Sequence, residues 1–92
     1  MKKIMVLGAG TMGAGIAQMV AQAGFQVIWR DLKNEYLERG LAAVKKQLDR
    51  RIEKGEITLG EKTDILARIA KTTNLSDGKD ADLVLEAVLE NL

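Results

Sequence analysis

Cysteine, histidine and proline are absent from all 92 residues, and tryptophan, tyrosine and phenylalanine occur once each. Without cysteine there is no disulfide, no thiolate nucleophile and no cysteine-based zinc site, a composition that suits a reducing, cytoplasmic setting. Without histidine the commonest general acid–base group and metal ligand is missing, so no catalytic residue and no metal site is assigned to these residues. Neither sign of charge dominates: 14 Lys and Arg against 13 Asp and Glu leave a formal net charge of +1. That balance gives no electrostatic case for a nucleic-acid partner. Long apolar runs are also lacking. None approaches the ~20 residues that cross a bilayer, and Gly8 comes too soon for the apolar stretch of a signal peptide, so no membrane association is expected. With no proline-rich linker, 47% hydrophobic and 29% charged residues, the chain reads as one small soluble domain with a modest core.

What is present begins with Met5-Val6-Leu7-Gly8-Ala9-Gly10-Thr11-Met12-Gly13, an apolar strand that runs into a GxGxxG turn. The spacing of apolar and turn residues predicts the order β-α-β-α-α-β-β. Lys3 to Leu7 and Gln26 to Arg30 are short apolar strands, expected to be central, parallel and covered on both faces. Between them Met12 to Ala23 is apolar on most sides, predicting a largely buried helix that Gly24 caps. From Asn34, read as an N-cap, apolar residues recur at Leu37, Leu41, Val44, Leu48 and Ile52 until Gly55, the spacing of one helical face. Thr58 and Glu61 have capping-box spacing and open a further helix carrying Leu59, Ile65 and Leu66. Arg68 to Thr73 and Asp82 to Val88 read as the third and fourth strands, and Leu89 to Leu92 as the first turn of a helix. The fold class is therefore α/β: a partial Rossmann, doubly wound parallel sheet of about four strands, with a helical hairpin after the second.

In such a strand–turn–helix setting the glycines have distinct duties. Gly8 turns the chain sharply, Gly10 lets backbone approach a pyrophosphate, and Gly13 lets the helix pack closely on the sheet. The helix starting near Thr11 then offers free N–H groups and its positive dipole end to phosphates. Asp31 closes the second strand roughly 20 residues on, where a carboxylate can accept both hydroxyls of an adenosine ribose and would repel a 2′-phosphate. The combination points to NAD rather than NADP, although Arg30 and Lys33 flank the acid and could soften the discrimination. A tight turn without ligand and an ordinary surface acid are the bland alternatives. Trp29, beside Arg30, reads as packing within the second strand.

The stretch from Val6 to Gln18, the Arg30-Asp31 pair, the helical hairpin and Asp82-Leu83-Val84-Leu85-Glu86-Ala87-Val88-Leu89-Glu90-Asn91-Leu92 together resemble the N-terminus of the 3-hydroxyacyl-CoA dehydrogenases, the bacterial 3-hydroxybutyryl-CoA type above all. The resemblance runs over the whole chain. It implies residues 1–92 as a truncated NAD-binding domain of a much longer enzyme, whose C-terminal substrate and dimerisation domain is absent here. It also implies hydride transfer between NAD and a (3S)-3-hydroxyacyl-CoA, in fatty acid or butanoate metabolism. Residue by residue, the resemblance places Gly8, Ala9, Gly10, Thr11, Met12, Gly13 and Asp31 against the adenosine and pyrophosphate. Ala87 and Glu90 fall nearer the nicotinamide ribose, and Lys54 contacts the CoA of the substrate.

Bland readings stand beside these assignments. Glu86 and Glu90 also fit strand-end acids in solvent, and Lys54 fits the last turn of a helix, where the dipole favours a cation. Lys45, Lys46, Arg50, Arg51 and Lys54 alternate with Asp49 and Glu53, as on a solvated face. The His base of the resembled family, its orienting Glu, and the Ser and Asn that position the thioester have no counterpart here, so the chain alone is expected to be inactive. An open fourth strand carrying Leu83, Leu85 and Val88 predicts a homodimer or higher assembly. Two further classes stay open: a non-catalytic self-assembling structural module, and another Rossmann dehydrogenase.

Overall fold

The computed structural model describes residues 2–87; Val88, Leu89 to Leu92 and with them Glu90 lie outside the described residues. Strand β1 (Lys3–Leu7) is followed by α1 (Thr11–Gln22), β2 (Gln26–Arg30), α2 (Asn34–Glu53), α3 (Leu59–Ala67), β3 (Ile69–Thr72), a single 3-10 turn (Leu75–Gly78) and β4 (Leu83–Glu86). All strand pairings are parallel, in the order β3-β2-β1-β4. The pair β1 and β2 is central, as the apolar pattern predicts.

Stepping outward from β1 to β2 to β3 with right-handed crossovers puts every connecting helix on one face of the sheet. There Ile4 and Val6 of β1 and Val27 and Trp29 of β2 meet Ala17, Val20 and Ala21 of α1 and Leu37, Val44 and Leu48 of α2 in one core. The other face differs from the expectation of strands covered on both sides. Met5 is buried there beneath Gly78, but Val84, its register neighbour on β4, remains 48% exposed. The short 3-10 turn, which no apolar period announces, is what shields Met5.

The reading of α1 as largely buried is also corrected, because the helix meets the core with one face only. Its Gly13, Ala14, Ala17, Val20 and Ala21 are buried, whereas Met12 and Met19 are 51% and 63% exposed. Met12 stands at the rim of the glycine turn with the ends of the strands, and Met19 lies on the part of α1 that the described core leaves to solvent. In α2 the predicted apolar stripe is present, but Asn34 is the first helical residue and Lys33 stands at the N-cap without a side-chain bond. The Thr58–Glu61 capping box opens α3 as predicted, with Thr58 accepting from the Glu61 N–H and Glu61 accepting from the Thr58 N–H.

Lys71 of β3 donates a hydrogen bond to Glu38 of α2. That bond and the ammonium charge hold the Glu38 carboxyl below its ordinary range. Both heads meet solvent, so the pair aligns α2 over β3 and contributes little to stability. Stability comes from the core. Leu48 is fully buried, and Leu48→Ala is expected to cost roughly 2–5 kcal/mol, read as a lower urea midpoint with an unchanged slope.

Candidate functional site

At the carboxyl ends of β1, β2 and β4, where open α/β sheets bind ligands, β1 releases the chain into Gly8, Ala9 and Gly10. Gly8 has φ +104°, and a β-carbon on it would lie 2.8 Å from the Ala87 carbonyl oxygen. A β-carbon on Gly13 would lie 1.9 Å from the Gly8 carbonyl oxygen. These two positions therefore let the turn nest between α1 and the end of β4. Above Gly10 the reverse holds, because a β-carbon there meets nothing within 4 Å, leaving the backbone open to approach from outside.

Gly10 occupies the N-cap of α1 with no side-chain cap, and no acid stands in the first turn. The leading N–H groups of Thr11, Met12 and Gly13 thus have neither an intrahelical acceptor nor a carboxylate competing for them. They and the dipole favour an anion at that spot.

Asp31, just past β2, is the acid of the site. Its Oδ2 accepts from the Ala9 N–H at 2.8 Å and its Oδ1 from the Leu32 N–H at 2.6 Å. A carboxylate has about four lone-pair positions, so two backbone bonds orient the group and leave one free acceptor position on each oxygen. Two concavities meet at Asp31. One, of about 390 Å³, runs from Ala9, Gly10 and Thr11 to Tyr36, Arg39, Gly40 and Ala43 of α2. The other, of about 490 Å³, runs from the same turn toward Arg30, Leu32, Glu86 and Ala87. Each is of a size that takes part of a dinucleotide, and a free carboxylate between them is what a ribose diol requires. The donors, the free acceptors and the open approach over Gly10 fit such a group.

The structure brings Gly8, Ala9, Gly10, Thr11, Met12, Asp31 and Ala87 to one rim, with Gly13 buried beneath it. Arg30 lines the second concavity but gives its Nε–H to the Thr73 carbonyl, and the Lys33 ammonium lies 5.8 Å from the Tyr36 ring centroid. Among the described residues, neither ion pair involves Asp31, so its charge stays available to discriminate. Lys54 is not part of this rim. It is the exposed C-cap of α2, a helix of 20 residues, and so stands about 30 Å along the axis from the Tyr36 end.

Sequence reasoning did not single out Tyr36, Arg39, Gly40 and Ala43, which form the α2 wall. A signal existed in Gly40. A glycine inside a long helix costs about 1 kcal/mol against alanine, and here it is buried because a β-carbon would lie 2.4 Å from the Trp29 ring and 3.1 Å from the Ala9 carbonyl oxygen.

The family described as 3-hydroxyacyl-CoA dehydrogenase, NAD binding domain, matches residues 3–92. The chain is 49% identical over 89 residues to a probable 3-hydroxybutyryl-CoA dehydrogenase of Deinococcus radiodurans, covering 97% of this chain and 32% of that protein. It is 42% identical over 86 residues to a fatty acid oxidation complex subunit alpha of Psychrobacter cryohalolentis, covering 94% of this chain and 12% of the relative. The crystal structure of (S)-3-hydroxybutyryl-CoA dehydrogenase from Ralstonia eutropha superposes with TM-score 0.94 at 41% identity, over 99% of this chain and 32% of that one. The chain thus spans at most about a third of the length of these relatives.

Proposed function

The chain belongs to the NAD-binding domain family of the 3-hydroxyacyl-CoA dehydrogenases, and from that premise we propose that residues 1–92 hold the adenosine and pyrophosphate half of NAD for an enzyme that oxidises (3S)-3-hydroxyacyl-CoA thioesters. The observation that carries this reading is Asp31, oriented by the Ala9 and Leu32 N–H groups at the meeting point of two concavities. In it the ribose diol donates to the free acceptor positions of Asp31, and the pyrophosphate lies over Gly10 against the N–H groups of Thr11, Met12 and Gly13. The adenine occupies the concavity walled by Tyr36, Gly40 and Ala43.

NAD, when bound, supplies the hydride acceptor. The chain's own residues bind and orient the cofactor. Ala87 borders the side toward the nicotinamide ribose; Glu90, outside the described residues, is assigned to the same ribose by the family resemblance alone, and Lys54 to the CoA. With no histidine in the sequence, the base that takes the hydroxyl proton belongs to the rest of the enzyme, along with the substrate and dimerisation domain. The 92 residues alone bind without turning over.

No helix among the described residues is long and apolar enough to cross a membrane. A cytoplasmic location is part of the proposal, supported by the cysteine-free composition. Self-association is part of it too, supported by β4, the edge strand of the sheet among the described residues, where backbone groups invite pairing; Leu83 is exposed there as expected and Val84 with it, whereas Leu85 packs against the core and Val88 lies outside the described residues.

The reading is tested by the choice of dinucleotide. A 2′-phosphate would replace a donor to Asp31 by a dianion, so NADP is expected to bind at least ~10-fold more weakly than NAD, a difference of about 1.4 kcal/mol. Isothermal titration of the purified chain measures both, and equal affinities would remove Asp31 from the proposed role.

A further inference from the structure

Trp29 is fully buried, yet packing does not account for the placement of its one polar atom. Its indole Nε1–H donates to the Gly8 carbonyl oxygen at 2.8 Å. The next N–H along the chain, that of Ala9, donates to Asp31 Oδ2 at 2.8 Å. These two groups are the opposite ends of a single peptide unit, the Gly8–Ala9 amide, which is planar and rotates as one body.

Trp29 lies on β2 and Asp31 just past its end, and both side chains reach the same peptide unit. Between them they hold that amide by both ends. Gly8 itself is tied to the same strand by its N–H, which donates to the Arg30 carbonyl at 2.8 Å.

The grip has a steric backing. A β-carbon on Gly40 would lie 2.4 and 2.7 Å from two carbons at the far edge of the Trp29 ring, so α2 closes on the ring and leaves it no room to rotate away. The missing side chain of Gly40 is what lets a full indole stand beneath the turn.

We propose that Trp29 is a positioning residue for the cofactor site, acting through the Gly8–Ala9 amide to orient the Asp31 carboxylate toward the ribose. The inference rests on the nucleotide reading above. With the indole N–H removed, the amide loses one of its two holds, the Ala9 N–H is free to turn from Oδ2, and Asp31 loses the bond that points it across the two concavities.

The test replaces Trp29 with its benzothiophene analogue, in which sulfur takes the place of the ring N–H and the ring shape is kept. ADP-ribose affinity, measured by calorimetry well below the melting temperature, is expected to fall about fivefold or more, the weight of one buried hydrogen bond. The Ala9 amide proton is expected to move upfield in the free variant as its bond to Asp31 lengthens, a change that filling space alone does not produce. Affinity within twofold of the unaltered chain together with an unmoved Ala9 amide would overturn the inference while leaving the nucleotide reading intact. Failure of the unaltered chain to bind ADP-ribose would overturn both.

Should the analogue not fold, the unaltered chain still decides. Its indole N–H is expected to exchange with solvent far more slowly than free indole in NMR, and exchange at the free rate would overturn the proposed hold.

Discussion

Gly13→Ala is expected to abolish nucleotide binding and to destabilise the fold by about 3 kcal/mol, at the upper end of ordinary overpacking. The obstacle is backbone: the new β-carbon would lie 1.9 Å from the Gly8 carbonyl oxygen and 2.7 Å from its carbon. No rotamer change relieves that contact, so α1 must slide away from the turn and carry the N–H groups of Thr11 and Met12 with it. Propensity acts in the opposite direction, since alanine gains about 1 kcal/mol over glycine within a helix. Gly15 isolates that term. It lies in the same helix, is exposed, and a β-carbon on it meets nothing within 4 Å. Gly15→Ala is therefore expected to raise the urea midpoint while Gly13→Ala lowers it. If the two substitutions shift stability in the same direction, the close docking of α1 on the turn is wrong.

Asp31→Ala carries the second large effect. The substitution removes two charge-assisted hydrogen bonds to the ribose, each worth roughly 1.5–3 kcal/mol, and also releases the Ala9 and Leu32 N–H groups that the carboxylate accepts. Loss of a negative charge near the phosphates offsets part of this. ADP-ribose affinity is expected to fall about 100-fold, which corresponds to roughly 2.8 kcal/mol. The offset has its own signature, because the penalty against a 2′-phosphate disappears with the carboxylate and the preference for NAD over NADP should vanish. Calorimetric titrations with each dinucleotide measure the change. An Asp31→Ala chain that binds less tightly but keeps its preference would remove Asp31 as the source of the discrimination, since the neighbouring Arg30, Lys33 and Arg39 are cations that favour a 2′-phosphate.

Much of this arrangement is legible in the residues themselves, since it follows from local rules. The strand into Gly8, the stripe from Leu37 to Ile52 and the Thr58–Glu61 capping box report short-range geometry, and the structure has those elements at those places. What depends on packing between distant elements is less visible. Met12 and Met19 read as buried because α1 is apolar on most sides, yet a helix packed on a sheet by one face leaves its remaining side to solvent. Gly78 carries no local mark of its contact with Met5, 73 residues earlier in the sequence. The α2 wall of the first concavity escaped notice for the same reason. Tyr36, Arg39 and Ala43 stand beside the apolar stripe rather than in it, and only the fold turns them toward the glycine turn. Trp29 looked like strand packing because a sequence gives the ring but not the partner of its N–H.

The central claim, that these residues form an adenosine half-site built on the glycine turn and Asp31, is tested most directly by titrating the purified chain with NAD and separately with ADP-ribose, followed by amide NMR shifts. The account predicts saturable binding of both with equal affinity, largest shifts at Ala9 through Gly13 and at Asp31 and Leu32, and an affinity for both that falls about 100-fold in Asp31→Ala. A folded chain whose amides in those segments do not move with either ligand would contradict it.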